Sequence, residues 1–188
     1  SMLSAQQAPV QLGSDLDSIV LGLANCGGAP GRFERVPHEG DFAVVVDYAH
    51  TDDALLNTLR TARQLTQGRI ITVFGCGGDR DKTKRQPMGR VAGDNSDIVM
   101  ITSDNPRTED PLRIIDEIEI GVKETGKPFR SISDRRLAIS EAIKEARSGD
   151  VVIIAGKGHE NYQIIGNEKF HFDDREVARD ALGRRAEN

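Results

Sequence analysis

The stretch Phe42 to Gly75, FAVVVDYAHTDDALLNTLRTARQLTQGRIITVFG, decides the fold. It opens on an apolar run, Phe42 to Asp47, that reads as a buried strand. Asp52 or Asp53 can then cap a helix carrying Leu55, Leu56, Leu59, Ala62 and Leu65 at helical spacing. Gln67-Gly68 stops the helix, and Arg69 to Phe74 is a second apolar strand. A strand, a helix and a strand at this spacing are the unit from which parallel sheets are built.

The same alternation continues toward the C-terminus. After a long loop from Gly75 to Gln86, Pro87 opens a helix to about Asn95, followed by a strand from Asp97 to Thr102. Pro111 starts a helix with Leu112, Ile115, Ile118 and Val122 on one face. Phe129 to Ile132 is a short strand, and Asp134 begins a helix with Leu137, Ile139, Ala142, Ile143 and Ala146. Asp150 to Ala155 is the most apolar strand. Tyr162 to Ile165 and Lys169 to Phe172 flank Gly166-Asn167, a hairpin signal. Asp173 or Asp174 caps a last helix to about Leu182. The expected fold is α/β: a Rossmann-like, mostly parallel sheet with helices on both faces, closed by a C-terminal antiparallel hairpin.

Toward the N-terminus the pattern fades. Residues Ser4 to Asp15 are polar, and Leu16, Ile19, Val20 and Leu23 form one short helical stripe. Gly27-Gly28-Ala29-Pro30-Gly31 then reads as a linker. Residues 1–30 are therefore expected to be a leader and the tail of a preceding domain, and 31–188 a single domain. With 37% hydrophobic and 29% charged residues, the 188-residue chain has a globular composition. No run approaches the roughly 20 apolar residues of a membrane helix, no secretion signal is seen, and no membrane partner is expected. The formal charge of −5 disfavours a nucleic-acid binder. Cys26 and Cys76 form no C-x-x-C pair, so no metal site is assigned, and a cytoplasmic monomer is expected.

In open α/β sheets, ligands bind beyond the carboxyl ends of the strands. Four loops rich in Gly, Asp, Arg and His lie there: Asp47 to His50, Gly75 to Arg85, Asp104 to Arg107, and Gly156 to Glu160. In the second loop, Arg80, Lys82, Lys84 and Arg85 can meet phosphates or carboxylates, although a flexible solvated loop accounts for them equally well. The loop is not a dinucleotide fingerprint, because Arg80 stands where G-x-G-x-x-G needs its third glycine, and the chain holds no G-x-x-x-x-G-K-[ST]. Asp104-Asn105-Pro106-Arg107 suits a zwitterion: Arg107 can hold a carboxylate, while Asp104 and Asn105 can accept from an ammonium. Its plainer reading is a capped turn. Gly156 and Glu160 offer a strand-end turn and an acid for an ammonium. Asp47 and His50 can bind a nucleotide or a metal, the plainer reading of Asp47 being the end of a strand and the cap of the next turn, and Arg32 can meet a phosphate or a surface acid. Cys76 lacks a neighbouring His and is a weak candidate nucleophile.

Read together, Pro30 to Val36, Phe42 to Thr51, Val73 to Asp81, Thr102 to Glu109, Ile154 to Glu160 and Phe172 to Glu176 resemble the ATP-dependent muramyl ligases, in family order and across nearly all of Gly31 to Leu182. The resemblance is greatest to members that add meso-diaminopimelate. One departure is Thr51-Asp52-Asp53, where the family usually has Thr-Pro-Asp. The resemblance implies a C-terminal domain of a three-domain enzyme. It implies ATP-driven amide formation through an acyl phosphate on a UDP-N-acetylmuramoyl dipeptide, with Mg2+ and ATP bound mainly by a central domain absent from this sequence. Arg32, Asp47 and His50 then look like the residues that reach ATP. Arg80, Asp104, Asn105, Arg107, Gly156 and Glu160 look like the diaminopimelate site. No catalytic residue is assigned within the chain, which alone is expected to be inactive. The competing readings are a lysine-adding muramyl ligase or folylpolyglutamate-type ligase domain, a nucleotide-binding oxidoreductase domain, and a non-catalytic amino-acid-binding module.

Overall fold

A computed structural model describes residues 19, 21–22 and 29–188. Its eight strands are β1 (Glu34–Arg35), β2 (Ala43–Asp47), β3 (Ile70–Phe74), β4 (Ile98–Ile101), β5 (Phe129–Ser131), β6 (Val151–Ala155), β7 (Tyr162–Ile165) and β8 (Glu168–His171). Between and after them run five helices: α1 (Asp52–Leu65), α2 (Arg85–Asn95), α3 (Pro111–Lys123), α4 (Arg135–Glu145) and α5 (Asp174–Ala186). Six strands form one sheet in the order β1-β2-β6-β3-β4-β5, parallel except for β1 against β2.

Strand period and crossover direction explain the layers. Neighbouring residues of a strand point to opposite faces, so Ala43 and Val45 join one core cluster while Val44 and Val46 join the other. From β2 through β5 the chain advances across the sheet in one direction, and α1, α2 and α3 all pack on the first face. The return from β5 to β6 runs the other way, and a crossover of the same hand then places α4 on the opposite face, where α5 joins it.

The expected fold is present, with local corrections. Thr51, not Asp52 or Asp53, caps α1: its hydroxyl accepts from the Ala54 N–H at 3.2 Å, and the two aspartates sit in the first turn, where they favour the helix dipole. The second helix begins at Arg85, two residues before Pro87, after a 3-10 turn at Lys82–Lys84. Leu112 and Leu137 are about half exposed, so the buried stripe of α3 runs through Ile114, Ile115, Ile118 and Val122 instead. The last helix continues past Leu182 to Ala186. The hairpin does not join the main sheet; β7 and β8 pair with each other around Gly166-Asn167, and Ile165 adds one isolated bridge to Arg107. Asp173 is the cap of α5, accepting from the Arg175 N–H at 2.9 Å.

The polar leader and most of the expected N-terminal helix lie outside the described residues. Residues 19, 21 and 22 are helical, and Ile19 is fully buried in the first core cluster with Leu55 and Leu59. No helix among the described residues is long and apolar enough to cross a membrane.

Candidate functional site

All four expected loops follow strands that are parallel and hydrogen-bonded neighbours, so they rise at one end of the sheet. Arg135 fixes the base of this rim. It is fully buried and holds Asp174 through two bonds, Nε to Oδ1 at 2.8 Å and Nη2 to Oδ2 at 2.7 Å. Its other N–H groups donate to the Ser103 and Ala155 carbonyls at the ends of β4 and β6. Every partner of this guanidinium is internal, so α4 and α5 are tied directly to two of the loops.

The loops after β3 and β4 are zipped together. Gly78 N–H donates to the Asn105 carbonyl at 2.8 Å, and Thr108 donates to Asp79 through its backbone and hydroxyl. Asp79 N–H donates to Glu109 at 2.8 Å. Asp79 and Arg107 both adopt positive φ, 53° and 52°, which costs a side-chain-bearing residue roughly 1–2 kcal/mol; these cross-loop bonds hold them there. The Arg107 guanidinium donates to the Gly78 carbonyl at 2.9 Å, and a Cβ on Gly77 would lie 3.0 Å from Arg107 Nη1 and 3.7 Å from Arg80 Cγ. Arg80 and Arg107 thus flank the same glycine. Arg85, expected to be available to phosphates, is instead fully buried on Glu109, Glu117 and the Gly77 carbonyl. Its guanidinium, with the Asp79 N–H, holds the Glu109 carboxyl down at about 2. Lys84 Nζ donates to the His50 carbonyl.

Beside the arginines lies a cluster of opposite sign whose centre, Lys157, was not among the expected site residues. Lys157 is fully buried, and its Nζ lies 3.0 Å from Asp104 Oδ1 and 3.9 Å from Glu160 Oε2. It donates to Asn105 Oδ1 and to the Tyr162 carbonyl, both at 2.8 Å. Asn105 Oδ1 also accepts from the Ile164 N–H at 2.9 Å. The reading of Asn105 as an ammonium acceptor is therefore corrected: its oxygen is occupied by two donors, and its amide NH2 faces Glu160 at 3.5 Å. Burial first, and the Asp104 carboxylate second, push Glu160 above the ordinary carboxyl range, while Lys157 and Asn105 pull it back. Gly156, at φ 119°, turns the chain next to Asp104 Oδ2, which a Cβ there would meet at 3.6 Å. The hairpin braces the cluster: Gln163 donates to the Asp104 carbonyl, and Arg107 exchanges backbone bonds with Ile164 and Gly166.

Arg32, Asp47 and His50 form a separate part of the rim. Asp47 is engaged by three donors: Phe33 N–H at 2.7 Å, Ala49 N–H at 2.9 Å and the Thr58 hydroxyl at 3.0 Å. It thereby fixes Phe33 at φ 45°, next to Arg32. The exposed Arg32 guanidinium stands 5.7 Å from the Tyr48 ring centre, and the His50 and His159 rings lie 4.7 and 5.6 Å from the same ring. Two glycines permit this contact. Gly31 (φ 75°) and Gly158 (φ 56°) interlock: a Cβ on the first would overlap the Gly158–His159 backbone, and one on the second would lie 2.8 Å from the Gly31 carbonyl oxygen.

Cys76 is buried against Met88, and its thiol is pushed up to about 12 by burial, which removes it as a nucleophile. Among the described residues, no three His, Cys, Asp or Glu side chains converge as metal ligands. A cavity of about 490 Å³ lined by His38, Phe42, Arg179 and Arg185 lies at the opposite end of the sheet and shares no residue with the four loops.

A family model described as "Mur ligase, glutamate ligase domain" matches residues 31–158. The chain is 54% identical over 98% of its length to a UDP-N-acetylmuramoyl-L-alanyl-D-glutamate–2,6-diaminopimelate ligase from Gloeobacter violaceus. It spans 38% of that relative's length. A solved structure of a ligase with the same name superposes with a TM-score of 0.79 at 44% identity, covering 86% of this chain and 33% of the other. A bifunctional folylpolyglutamate synthase/dihydrofolate synthase from Yersinia pestis, solved with AMPPNP and a Mn ion, shares the fold at a TM-score of 0.54 and 19% identity, over 84% of this chain and 32% of its own. With a family match over more than half its residues and relatives above 50% identity along nearly its full length, the chain belongs to the Mur ligase family, as its glutamate ligase domain.

Proposed function

We propose that the chain is the amino-acid- and ATP-contacting C-terminal domain of a ligase that adds meso-diaminopimelate to UDP-N-acetylmuramoyl-L-Ala-D-Glu in peptidoglycan synthesis. The carrying observation is that the Arg107 guanidinium, with the stem of Arg80 beside it at Gly77, and the carboxylates of Asp104 and Glu160 rise from adjoining loops around Tyr162. Guanidinium and carboxylate side by side match the carboxylate and ammonium of one amino-acid end. Diaminopimelate carries such an end at both termini, and lysine lacks the distal carboxylate. The shared name of the relatives above 50% identity supports the same substrate.

In this reading, Asp104 Oδ2 and Glu160 accept from the ammonium, Arg107 and Arg80 hold the distal carboxylate, and Gly156 leaves room beside Asp104. Arg32 reaches a phosphate of ATP, and Tyr48 with His50 forms the adjoining nucleotide edge. Asp47 chiefly positions Arg32 through Phe33; with three of about four lone-pair sites occupied, one remains for a ribose hydroxyl. ATP, with Mg2+ held by residues beyond this chain, supplies the phosphoryl group that activates the dipeptide carboxylate. The amine at the other end of diaminopimelate, as neutral –NH2, then attacks the acyl carbon: the C–N bond forms as the C–O bond to phosphate breaks, and the nitrogen gives up one proton. Residues 31–188 act as the domain and the preceding residues as the tail of its neighbour. The chain alone, without a phosphate-cradling loop, is inactive.

The test is an assay of phosphate release by the full-length ligase with meso-diaminopimelate or L-lysine. A preference for diaminopimelate on the order of 10⁴ in kcat/KM is expected, because lysine leaves a guanidinium unpaired. Equal or greater turnover with lysine, or turnover with glutamate, overturns the assignment.

A further inference from the structure

The charged groups of the rim do not balance, and the imbalance centres on Lys157. Its ammonium is withdrawn from solvent and cannot touch a substrate. Asp104 and Glu160 place two carboxylates around this one cation. Asp104 Oδ1 is buried and faces Lys157 without a directed hydrogen bond, so that contact is ionic. Arg135, also buried, is matched to Asp174 and feels the Asp104 and Glu160 carboxylates more weakly. His159 and Tyr162 also face Glu160, and Arg107 stands near Tyr162 from the adjoining loop. Counting Lys157, Asp104 and Glu160, the inner site carries one net negative charge.

We infer that Lys157 is the positioning residue that sets the charge and the hydrogen-bond polarity of the amino-acid site, making it the complement of a single ammonium. This rests on the proposed function above. Two effects follow from the geometry. With Lys157 between them, the two carboxylates are spared the full repulsion of like charges in a half-buried space, which would otherwise favour a proton on Glu160. The ammonium also pins Asn105 Oδ1, so the Asn105 NH2 is left as the donor end of the amide, toward Glu160. A substrate ammonium is then received by Asp104 Oδ2 and Glu160, and Asn105 is reserved for an acceptor, such as a substrate carboxylate. Because Nζ also holds the Tyr162 carbonyl, the same residue fixes the hairpin that braces Arg107.

The experiment compares the full-length ligase with its Lys157→Met and Lys157→Met/Glu160→Gln variants. Lys157→Met keeps length and removes charge. It is expected to raise KM for the amino acid on the order of tenfold or more, with smaller changes in KM for ATP and the UDP-dipeptide. Its kcat/KM profile for the amino acid shifts to higher pH, as Glu160 now ionises only in more alkaline solution. The double variant restores one net negative charge, and is expected to recover thermal stability and lose the alkaline shift. A folded Lys157→Met enzyme whose pH profile superposes on the wild type overturns the proposal. So does a double variant as unstable and as shifted as the single one. If the enzyme prefers lysine, the substrate assignment fails, yet the pH shift measured with lysine still decides the role of Lys157.

Discussion

Arg135 and Lys157 are both withdrawn from solvent, both face carboxylates and both stand at the same end of the sheet, yet their surroundings differ in kind. Arg135 meets one carboxylate in a two-bond fork and gives its remaining N–H groups to two backbone carbonyls. Lys157 meets two carboxylates and leaves one oxygen of Asp104 and part of Glu160 facing the rim. A closed arrangement of charge stabilises a fold. One with an unmatched remainder marks the place where a ligand completes it. Burial alone does not separate the two.

The comparison breaks most visibly at Arg135. Arg135→Ala strands the Asp174 carboxylate in the core and is expected to cost about 3–5 kcal/mol in urea unfolding of the chain. A loss under about 1 kcal/mol would show that the closed pair is not structural. Arg107→Ala should give the opposite pattern in the full-length ligase: kcat/KM for diaminopimelate falls on the order of 10²-fold or more, with little change in melting temperature. Arg107→Gly should match that loss while relieving the positive φ, which keeps stability within about 1 kcal/mol. If Arg107→Gly retained activity, the guanidinium would be a brace rather than a ligand.

The smallest effect is a difference of sign in pH dependence. Glu160 is held above its ordinary value by burial and Asp104, so the folded chain binds its proton more tightly than the unfolded one. Its contribution favours folding at low pH and is lost as pH rises from 4.5 to the raised value. Glu109, held at about 2 by Arg85 and the Asp79 N–H, behaves oppositely: its contribution is present above 4.5 and lost as pH falls toward about 2. Glu160→Gln should therefore raise stability at neutral pH and Glu109→Gln lower it, as read by thermal unfolding at pH 3, 5 and 7. Shifts of the same sign would remove the distinction between the two carboxylates.

The layered architecture was legible because it follows from local signals. Apolar runs at Phe42–Asp47 and Val151–Ala155, helix stops at Gln67-Gly68 and the Gly166-Asn167 turn each act within a few residues. The identity of the rim loops followed from the same alternation. What escaped was set by distant partners. The two-residue strand β1 carries no period of its own and exists because Glu34 and Arg35 find Val46 and Val45. Leu112 and Leu137 fit a helical stripe but fall at its edge, where the packing of neighbouring elements decides burial. Arg135 and Asp174 are 39 residues apart, and Asp47 and Phe33 are 14 apart. The orientation of the Asn105 amide depends on Lys157 and Ile164, which composition cannot reveal. Lys157 itself stood in view inside Gly156-Lys157-Gly158, but a lysine between glycines looks like a solvated turn until its burial is known.

The interlocked backbones of Gly31 and Gly158 have a mechanical consequence. Two chains meeting without side chains between them have no compliant padding, so a swing of residues 29–31 about the sheet must either part that seam or drag the turn after β6 along with it. Glu160 rides on that turn, two residues past the seam. Motion around Arg32 is therefore geared to the acid of Glu160.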